Sequence, residues 1–238
     1  MIEILHNKYD YNAFECMISI CIYEGRQQAD FDPAIANSSQ NLEEVPMSEN
    51  SAPTVAIVYH SGYGHTEVLA QSVLKGAKDA GVNAHLVKAD DENKDWDLLE
   101  KADAIIFGSP TYMGSVSAQF KTFMDESSKV WMNQGWKDKI AAGFTISASQ
   151  SGDKLNTLVQ MSVFAAQHGM VWVGLGEMPG NNSSEGSAED INRIGSYIGM
   201  MAQANADQGA DVTPPTADHK TAEILGARVA NSTRRWAA

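Results

Sequence analysis

The sequence predicts a parallel α/β fold, and three observations lead to this prediction. From residue 54 onward, short apolar runs alternate with longer segments that have helical spacing. The runs are rich in β-branched and small residues, as expected of strands that are buried on both faces. Glycine and polar residues separate each run from the helix that follows. This alternation is typical of one doubly wound sheet with right-handed crossovers.

The individual elements follow from the same pattern. We expect strands at residues 54–60, 83–89, 102–109, 139–147 and 169–174. Helices are expected at 66–80, 116–129, 153–168 and 216–232. In the first helix, Leu69, Val73 and Ala77 recur at intervals of four, and Gly81 follows as a stop signal. The stretch 174–190, rich in glycine, asparagine and serine, predicts a long loop of the kind that is often functional.

Composition and charge exclude several classes of protein. Of the 238 residues, 43% are hydrophobic and 20% are charged, which is typical of a globular domain. The formal net charge of −13 argues against binding to nucleic acid or to anionic membranes. No apolar run reaches the roughly 18 residues of a membrane span, and the start lacks a signal-peptide pattern. Because Cys16 and Cys21 are the only cysteines, we expect free thiols and a cytoplasmic protein.

The N-terminal region is expected to be an extension of the domain. Residues 1–46 hold eight acidic and two basic residues, and the segment 24–53 is polar with little apolar pattern. We predict that residues 1–53 are disordered or poorly structured and that residues 54–238 form the domain. Met47 opens a segment typical of a bacterial start, so residues 1–46 are interpreted as a translation-start artefact or a dispensable extension.

The loop after the first strand has the composition of an anion-binding turn. It reads S-G-Y-G-H-T and contains Ser61, Gly62, Tyr63, Gly64, His65 and Thr66. Its glycines permit close approach of a ligand, and the helix that begins there would present free N–H groups to a phosphate. The lysine of a nucleotide-triphosphate loop is missing, as is a full dinucleotide fingerprint. A single phosphate held by neutral donors fits best, although a plain strand-to-helix turn is the alternative.

Two further strands end in loops of similar chemistry. After the third strand come Pro110, Thr111, Tyr112 and Met113, which offer a flat, polarisable surface for a planar heterocycle. After the fourth strand come small hydroxyl residues and a glycine, namely Ser147, Ala148, Ser149, Gln150, Ser151 and Gly152. Ligands of such sheets bind beyond the carboxyl ends of the strands, so the three loops predict one shared site without a metal.

These segments resemble the flavodoxin-fold NAD(P)H:quinone oxidoreductases related to WrbA. The likeness rests on S-G-Y-G-H-T, on F-G-S-P-T-Y-M-G-S-V-S-A-Q-F-K-T-F-M-D and on Q-H-G-M-V-W-V, between about Val55 and Val173. It implies a flavodoxin-like, doubly wound, five-stranded parallel sheet of order 2-1-3-4-5 that binds FMN non-covalently. Two features depart from the family pattern: Tyr112 stands where an arginine is common, and S-A-S-Q-S-G has fewer glycines than usual.

The resemblance also implies roles for individual residues. The first loop would hold the FMN phosphate, while the second and third loops would line the isoalloxazine ring. Tyr63 corresponds to a position that meets the nicotinamide, Trp131 to an aromatic wall of the substrate pocket, and His168 to a residue beside the flavin. From its position after a helix, His168 fits a structural cap equally well; as a functional residue it would donate a hydrogen bond to bound quinone.

The implied function is an FMN-dependent transfer of hydride from NAD(P)H to a quinone-like small molecule. Because nicotinamide and acceptor would occupy one position in turn, two-electron ping-pong kinetics are expected. The alternative is a flavodoxin-type carrier of single electrons, which an acidic surface would suit. The likeness further implies a homodimer or homotetramer in which a neighbouring chain completes the flavin pocket.

Overall fold

A computed structural model describes residues 52–237 and places them in a doubly wound α/β fold. The predicted extension at residues 1–53 lies outside the described residues except for its last two, as do both cysteines. The domain boundary at residue 54 therefore stays a prediction. Within the described range, no helix combines the length and the apolar content that crossing a membrane requires.

Seven strands within residues 52–237 form the sheet. They are β1 (Thr54–Tyr59), β2 (Asn83–Lys88), β3 (Ala104–Tyr112), β4 (Ser115–Val116), β5 (Ile140–Ser147), β6 (Val171–Trp172) and β7 (Met200–Gln203). The parallel path runs β2-β1-β3-β5-β6, while β4 is an antiparallel hairpin partner of β3. With β4 uncounted, this is the predicted order 2-1-3-4-5, and the predicted fold class is confirmed.

The last position of the sheet is filled by two separate segments, which corrects the prediction of one strand at 169–174. β6 pairs with Ile140–Ala141, and β7 pairs with Phe144–Ser147 farther along the same edge of β5. Between them, residues 173–199 leave the sheet and return, held by a 2.7 Å hydrogen bond from Trp172 Nε1 to the Ile198 carbonyl. The sequence pattern does not predict β7, because four residues are too few to establish a period.

Helices cover both faces of the sheet. Those of the described region are α1 (His65–Asp79), α2 (Trp96–Lys101), α3 (Ala118–Glu126), α4 (Ser128–Met132), α5 (Lys154–Gln167) and α6 (Thr216–Trp236). The predicted helix 116–129 is in fact the pair α3 and α4. It breaks at Ser127, whose hydroxyl donates to the Met124 carbonyl at 2.7 Å and so competes with the helical pattern. The short helix α2, which the sequence pattern does not predict, begins at a cap formed by Asp95.

Two apolar layers hold these helices on the sheet. The alternating residues of β1 divide between them, with Val55 and Ile57 on one side and Ala56 and Val58 on the other. The first layer contains residues of α1 and α6, and the second contains residues of α2, α3 and α5. Trp136, buried in the second layer, packs against Phe123 and Phe164. The sheet is therefore buried on both sides, as its apolar strands require.

Helices α1 and α6 approach each other unusually closely at two glycines. A Cβ atom on Gly76 would overlap the carbonyl oxygen of Glu223, and one on Gly226 would overlap the carbonyl oxygen of Val73. Both obstacles are backbone atoms, which cannot rotate away. The distance between the two helices therefore depends on the absence of a side chain at both positions.

We expect Gly76→Ala to destabilise the protein, although alanine is the better helix former by about 1 kcal/mol. The added methyl group would push α6 away from α1, at a cost of about 1–3 kcal/mol in the free energy of unfolding. Urea denaturation followed by circular dichroism measures this change. Lys78→Ala, on the exposed face of the same helix, is the control and should stay within about 0.5 kcal/mol of the wild type. Equal stabilities for the two variants would contradict the close packing.

Candidate functional site

The candidate site is a cavity at the carboxyl ends of the parallel strands. Its volume is about 620 Å³, within the range of small-molecule sites. The loop after β1, the ends of β3 and β5, and the loop after β7 form its four walls. Pro110 to Tyr112, predicted to follow the third strand as a loop, are in fact the last residues of β3. It is lined by Ser61, Tyr63, His65, Thr66, Pro110, Thr111, Tyr112, Ile146, Ser147, Ala148, Ala204, Asn205, Ala206, Gln208 and Gly209. The structure thus brings residues from all three predicted loops together.

The first wall is the N-terminus of α1. Gly64, the N-cap, has a φ of 89° and carries no side chain that could cap the helix. Among the described residues, none accepts a hydrogen bond from the backbone N–H of His65 or Thr66. These free donors and the positive end of the helix dipole favour an anion at this position.

Side chains at the same helix end add hydroxyl and imidazole groups. The hydroxyl oxygen of Ser61 accepts a hydrogen bond from the Glu67 N–H at 3.2 Å, which leaves its own proton free to be donated. Thr66 is almost fully buried yet lines the cavity. The Nε2 atom of His65 lies 2.9 Å from the Gln208 carbonyl; a carbonyl only accepts, so this nitrogen carries the proton.

The cavity wall is free of carboxylates. The chain has a formal net charge of −13, yet no described residue on the wall is Asp or Glu. The titratable side chains that line it are Tyr63, His65 and Tyr112. Together with the uncapped helix end, this composition suits a ligand that carries a phosphate, because the wall presents no carboxylate that would repel it.

Two tyrosines stand at the mouth of the cavity. Tyr63 is 79% exposed, and its ring meets that of Tyr112 edge-on, with centroids 6.4 Å apart. Burial, and to a lesser extent the nearby Tyr63, raises the pKa of Tyr112, so its phenol is neutral at physiological pH. A Cβ atom on Gly62 would lie 2.6 Å from the Tyr112 hydroxyl oxygen, so Gly62 allows the second loop to approach the first.

Hydroxyl groups fasten the second loop to the rest of the fold. Thr111 Oγ1 lies 2.8 Å from Thr145 Oγ1 on β5 and 2.8 Å from Thr157 Oγ1 on α5. All three threonines are buried. This network connects β3, β5 and α5 beneath the cavity and holds Pro110 and Tyr112 in place on its wall.

The fourth wall, Ala204–Gly209, is not predicted by the sequence pattern. It is tied to the third loop, because Gln203 Nε2 donates to the Ala148 carbonyl at 3.0 Å. The backbone N–H of Gln203 donates to Asp218 on α6, which also forms a bidentate ion pair with Arg193. The only signal in the sequence is a polar, glycine-containing segment after M-M-A-Q, and its place beside the other loops depends on the pairing of β7 with β5.

Several predicted site residues do not reach the cavity wall. Met113 is fully exposed on the turn between β3 and β4. Gln150 and Ser151 line a neighbouring hollow with residues of α5, and neither Ser149 nor Gly152 is on the cavity wall. Gly62 and Gly64 contribute backbone rather than lining side chains. A role of these residues in holding a cofactor stays a prediction.

His168 and Trp131 lie together, but away from the cavity. His168 follows the last residue of α5, whose 14 residues span about 21 Å from the cavity end of the helix. Gly169, the next residue in the chain, accepts a hydrogen bond at its carbonyl from the N–H of Asp138, which lies just before the start of β5. His168 is therefore at the edge of the sheet opposite the cavity. There it lines a hollow of about 340 Å³ with Trp131. The structure does not bring His168 to the cavity of its own chain.

The surroundings of His168 are those of a structural histidine. It is 3% exposed and packs against Trp136 and Phe164, with ring centroids 4.4 and 4.9 Å away. The Ser127 hydroxyl donates to Met124, so it accepts a hydrogen bond from His168 Nε2 at 2.9 Å, and Nδ1 carries the lone pair. Burial lowers the pKa of His168 to about 4, so the ring is neutral at physiological pH.

Comparison with known proteins adds the family context. The model of the NADPH-dependent FMN reductase family matches residues 55–184. Flavodoxin FldP of Pseudomonas aeruginosa is 45% identical over 178 residues, which are 73% of this chain and 93% of that protein. An Archaeoglobus fulgidus protein named NAD(P)H dehydrogenase (quinone) is 31% identical over 199 residues, 74% of this chain and 95% of the relative.

A solved structure gives the same picture. The flavodoxin, WrbA-like protein from Agrobacterium tumefaciens has 43% sequence identity and a TM-score of 0.61. The match covers 78% of this chain and 99% of that one. The resemblance on which the sequence analysis relied is therefore confirmed.

We expect His168 to make the protein less stable in acid. Between pH 6.5 and about 4 the unfolded chain binds a proton that the folded chain excludes, so stability falls as the pH is lowered through this window. The loss should be on the order of 2–3 kcal/mol. Urea midpoints measured at several pH values should show this slope in the wild type and a smaller slope in His168→Gln, where the buried His60 still contributes.

The matched control is His85→Gln, because His85 is exposed on β2. Its pH profile should follow that of the wild type. A His168→Gln variant with an unchanged acid slope would contradict the assignment of a buried, neutral imidazole.

Proposed function

The chain belongs to the NADPH-dependent FMN reductase family, and we propose that it binds one FMN in the cavity and transfers hydride from NAD(P)H to a quinone-like acceptor. The observation that carries the proposal is the carboxylate-free cavity against the uncapped N-terminus of α1. The names of two relatives agree with it: the NAD(P)H dehydrogenase (quinone) of Archaeoglobus fulgidus and the quinone-oxidoreductase QR2 of Triphysaria versicolor, 34% identical over 74% of this chain.

The residues present fit a phosphorylated flavin. The free N–H groups of His65 and Thr66, with the Ser61 hydroxyl, would bind the phosphate. Tyr112 on one side and Ile146 to Ala148 on the other would hold the planar ring. When bound, FMN supplies the redox chemistry, since it can accept hydride and pass it on.

The tyrosines at the mouth would orient the reactants. Tyr63, largely exposed, offers an aromatic face beside which a nicotinamide or a quinone can pack. Reductant and acceptor would use the position beside these rings in turn, which gives ping-pong kinetics. The groups that react, the nicotinamide ring and the quinone ring, are both planar and can pack against an aromatic face.

An assembly of two or four chains is part of the proposal. Trp131 and Met132 are large apolar side chains that are exposed on α4, as Leu155 is on α5. Such side chains are common in contacts between subunits. Trp131, half exposed and far from the cavity of its own chain, would then line the cavity of a neighbouring chain, with the buried His168 next to it. Light scattering of the purified protein measures the number of chains.

The second candidate is an electron carrier, because the 45% identical relative is named a flavodoxin. One experiment separates the two functions. The protein reconstituted with FMN is mixed with NADPH or NADH and benzoquinone, and nicotinamide oxidation is followed at 340 nm without any added reductase. We expect rapid turnover. A protein that holds FMN but oxidises nicotinamide only when a separate reductase is present would be a carrier.

The phosphate position has its own test, Ser61→Asp. The added carboxylate would repel the FMN phosphate, so we expect FMN to bind about 10- to 100-fold more weakly, or about 1.4 kcal/mol per tenfold. Riboflavin, which lacks the phosphate, should bind with nearly unchanged affinity. Quenching of flavin fluorescence measures both constants.

Ser183→Asp provides the control, since it adds the same charge to an exposed loop. It should leave both affinities unchanged. Equal losses for FMN and riboflavin in Ser61→Asp would mean that the phosphate lies elsewhere.

A further inference from the structure

Lys154 is a buried lysine at the start of α5, and the third loop is folded around it. Its side chain is fully buried. The ammonium donates to Ser149 O at 2.7 Å, to Gln150 O at 3.0 Å and to Ser147 Oγ at 3.2 Å. All three donor positions are thus used within one loop. Ser147 lies on the cavity wall, so the ammonium group is separated from the cavity by this one residue.

The other charged groups near Lys154 are Asp218 on α6 and Arg193 in the segment between β6 and β7. Asp218 forms a bidentate ion pair with Arg193, whose Nε and Nη2 donate to its two carboxylate oxygens at 2.7 and 2.9 Å. The three groups together carry one net positive charge. The loop is held on its other side by the bond from Gln203 to the Ala148 carbonyl.

We propose that Lys154 is a positioning residue for the cofactor: its ammonium holds residues 147–150 in the shape of the cavity wall, and its charge stabilises reduced FMN more than oxidised FMN. The inference rests on the proposed function, because it concerns the same cavity. It adds a residue outside the three predicted loops and gives that residue a measurable effect on the redox balance.

The electrostatic part follows from simple charge counting. Uptake of a hydride brings two electrons and one proton to the ring, so the bound cofactor becomes more negative by one unit. A buried cation close to the ring interacts more favourably with the more negative form. Lys154 can act in this way at neutral pH: burial lowers its pKa to about 8, with Asp218 opposing and Arg193 adding to the shift.

The first measurement is the affinity for FMN of Lys154→Met and Lys154→Gln. Met removes both the charge and the donors, and we expect it to weaken FMN binding at least tenfold. Gln keeps an N–H donor without the charge and should recover part of the affinity. Lys78→Met, at an exposed position of α1, is the control and should bind FMN as the wild type does.

The second measurement is the two-electron midpoint potential of bound FMN. If Lys154→Met loses ten times more affinity for reduced than for oxidised FMN, the potential falls by about 30 mV. Lys154→Gln should show the same fall, because it also lacks the charge. A purely structural role of Lys154 would weaken the binding of both forms equally and leave the potential unchanged.

The wild type provides a test that needs no substitution. As the pH rises through about 8, Lys154 loses its charge, and FMN affinity should fall between pH 7 and 9. As the pH rises over the same range, Lys154 makes the folded protein progressively more stable, because the unfolded chain retains the proton up to about pH 10.5. Weaker FMN binding at high pH would thus occur without loss of folding caused by Lys154.

The outcomes separate this inference from the proposed function. Wild-type protein that binds FMN with an affinity independent of pH, or a Lys154→Met variant with wild-type affinity and potential, would overturn the role of Lys154 alone. Wild-type protein that does not bind FMN would refute the proposed function and the electrostatic part together. In that case hydrogen exchange of the amides at residues 149–153 decides the positioning part, and equal exchange in wild type and Lys154→Met would overturn it.

Discussion

The parallel register of β1, β3 and β5 is the constraint on which the rest of the structure depends. Val55 pairs with Ala104, and Ala104 pairs with Ile140, so the three strands run side by side and end at one edge. β1 and β5 are each followed by a loop that enters a helix, and β3 is followed by its hairpin with β4 and then by α3, so the three helix N-termini lie at the same edge. The anion position at Gly64, the tyrosines at the mouth and the loop around Lys154 all follow from this alignment.

The sequence predicts this part of the molecule well because strong local signals coincide with the global arrangement. The strand T-V-A-I-V is too apolar to lie anywhere but between two layers, and Gly64 can start a helix without capping it. Residues such as Asn205 and Gln208 are different. They reach the cavity only because the chain returns to the sheet after a long excursion, and no local pattern encodes such a return.

His168 shows how the geometry of one chain limits a role that the resemblance implies. The H-G-M match implies a place beside the flavin, and a helix of 14 residues beginning at the cavity carries the chain to the far edge of the sheet, so His168 can only serve a flavin held by a neighbouring chain. Lys154 is a residue whose burial only the structure reveals. A single lysine at a helix start looks like a solvent-exposed residue in the sequence, and its burial depends on how the loop before it folds back.

The division of the last sheet position between β6 and β7 has a consequence for how the fold can change. Residues 173–199 depart from and rejoin the same edge of β5, so their number is independent of the spacing of the other strands. Segments of different length are compatible with the same strands, provided that Leu175 in the first apolar layer and the ion pair of Arg193 with Asp218 are kept. The exposed stretch at residues 181–185 is thus the part of this segment that evolution, or an engineer, can exchange without rebuilding the layers beneath it.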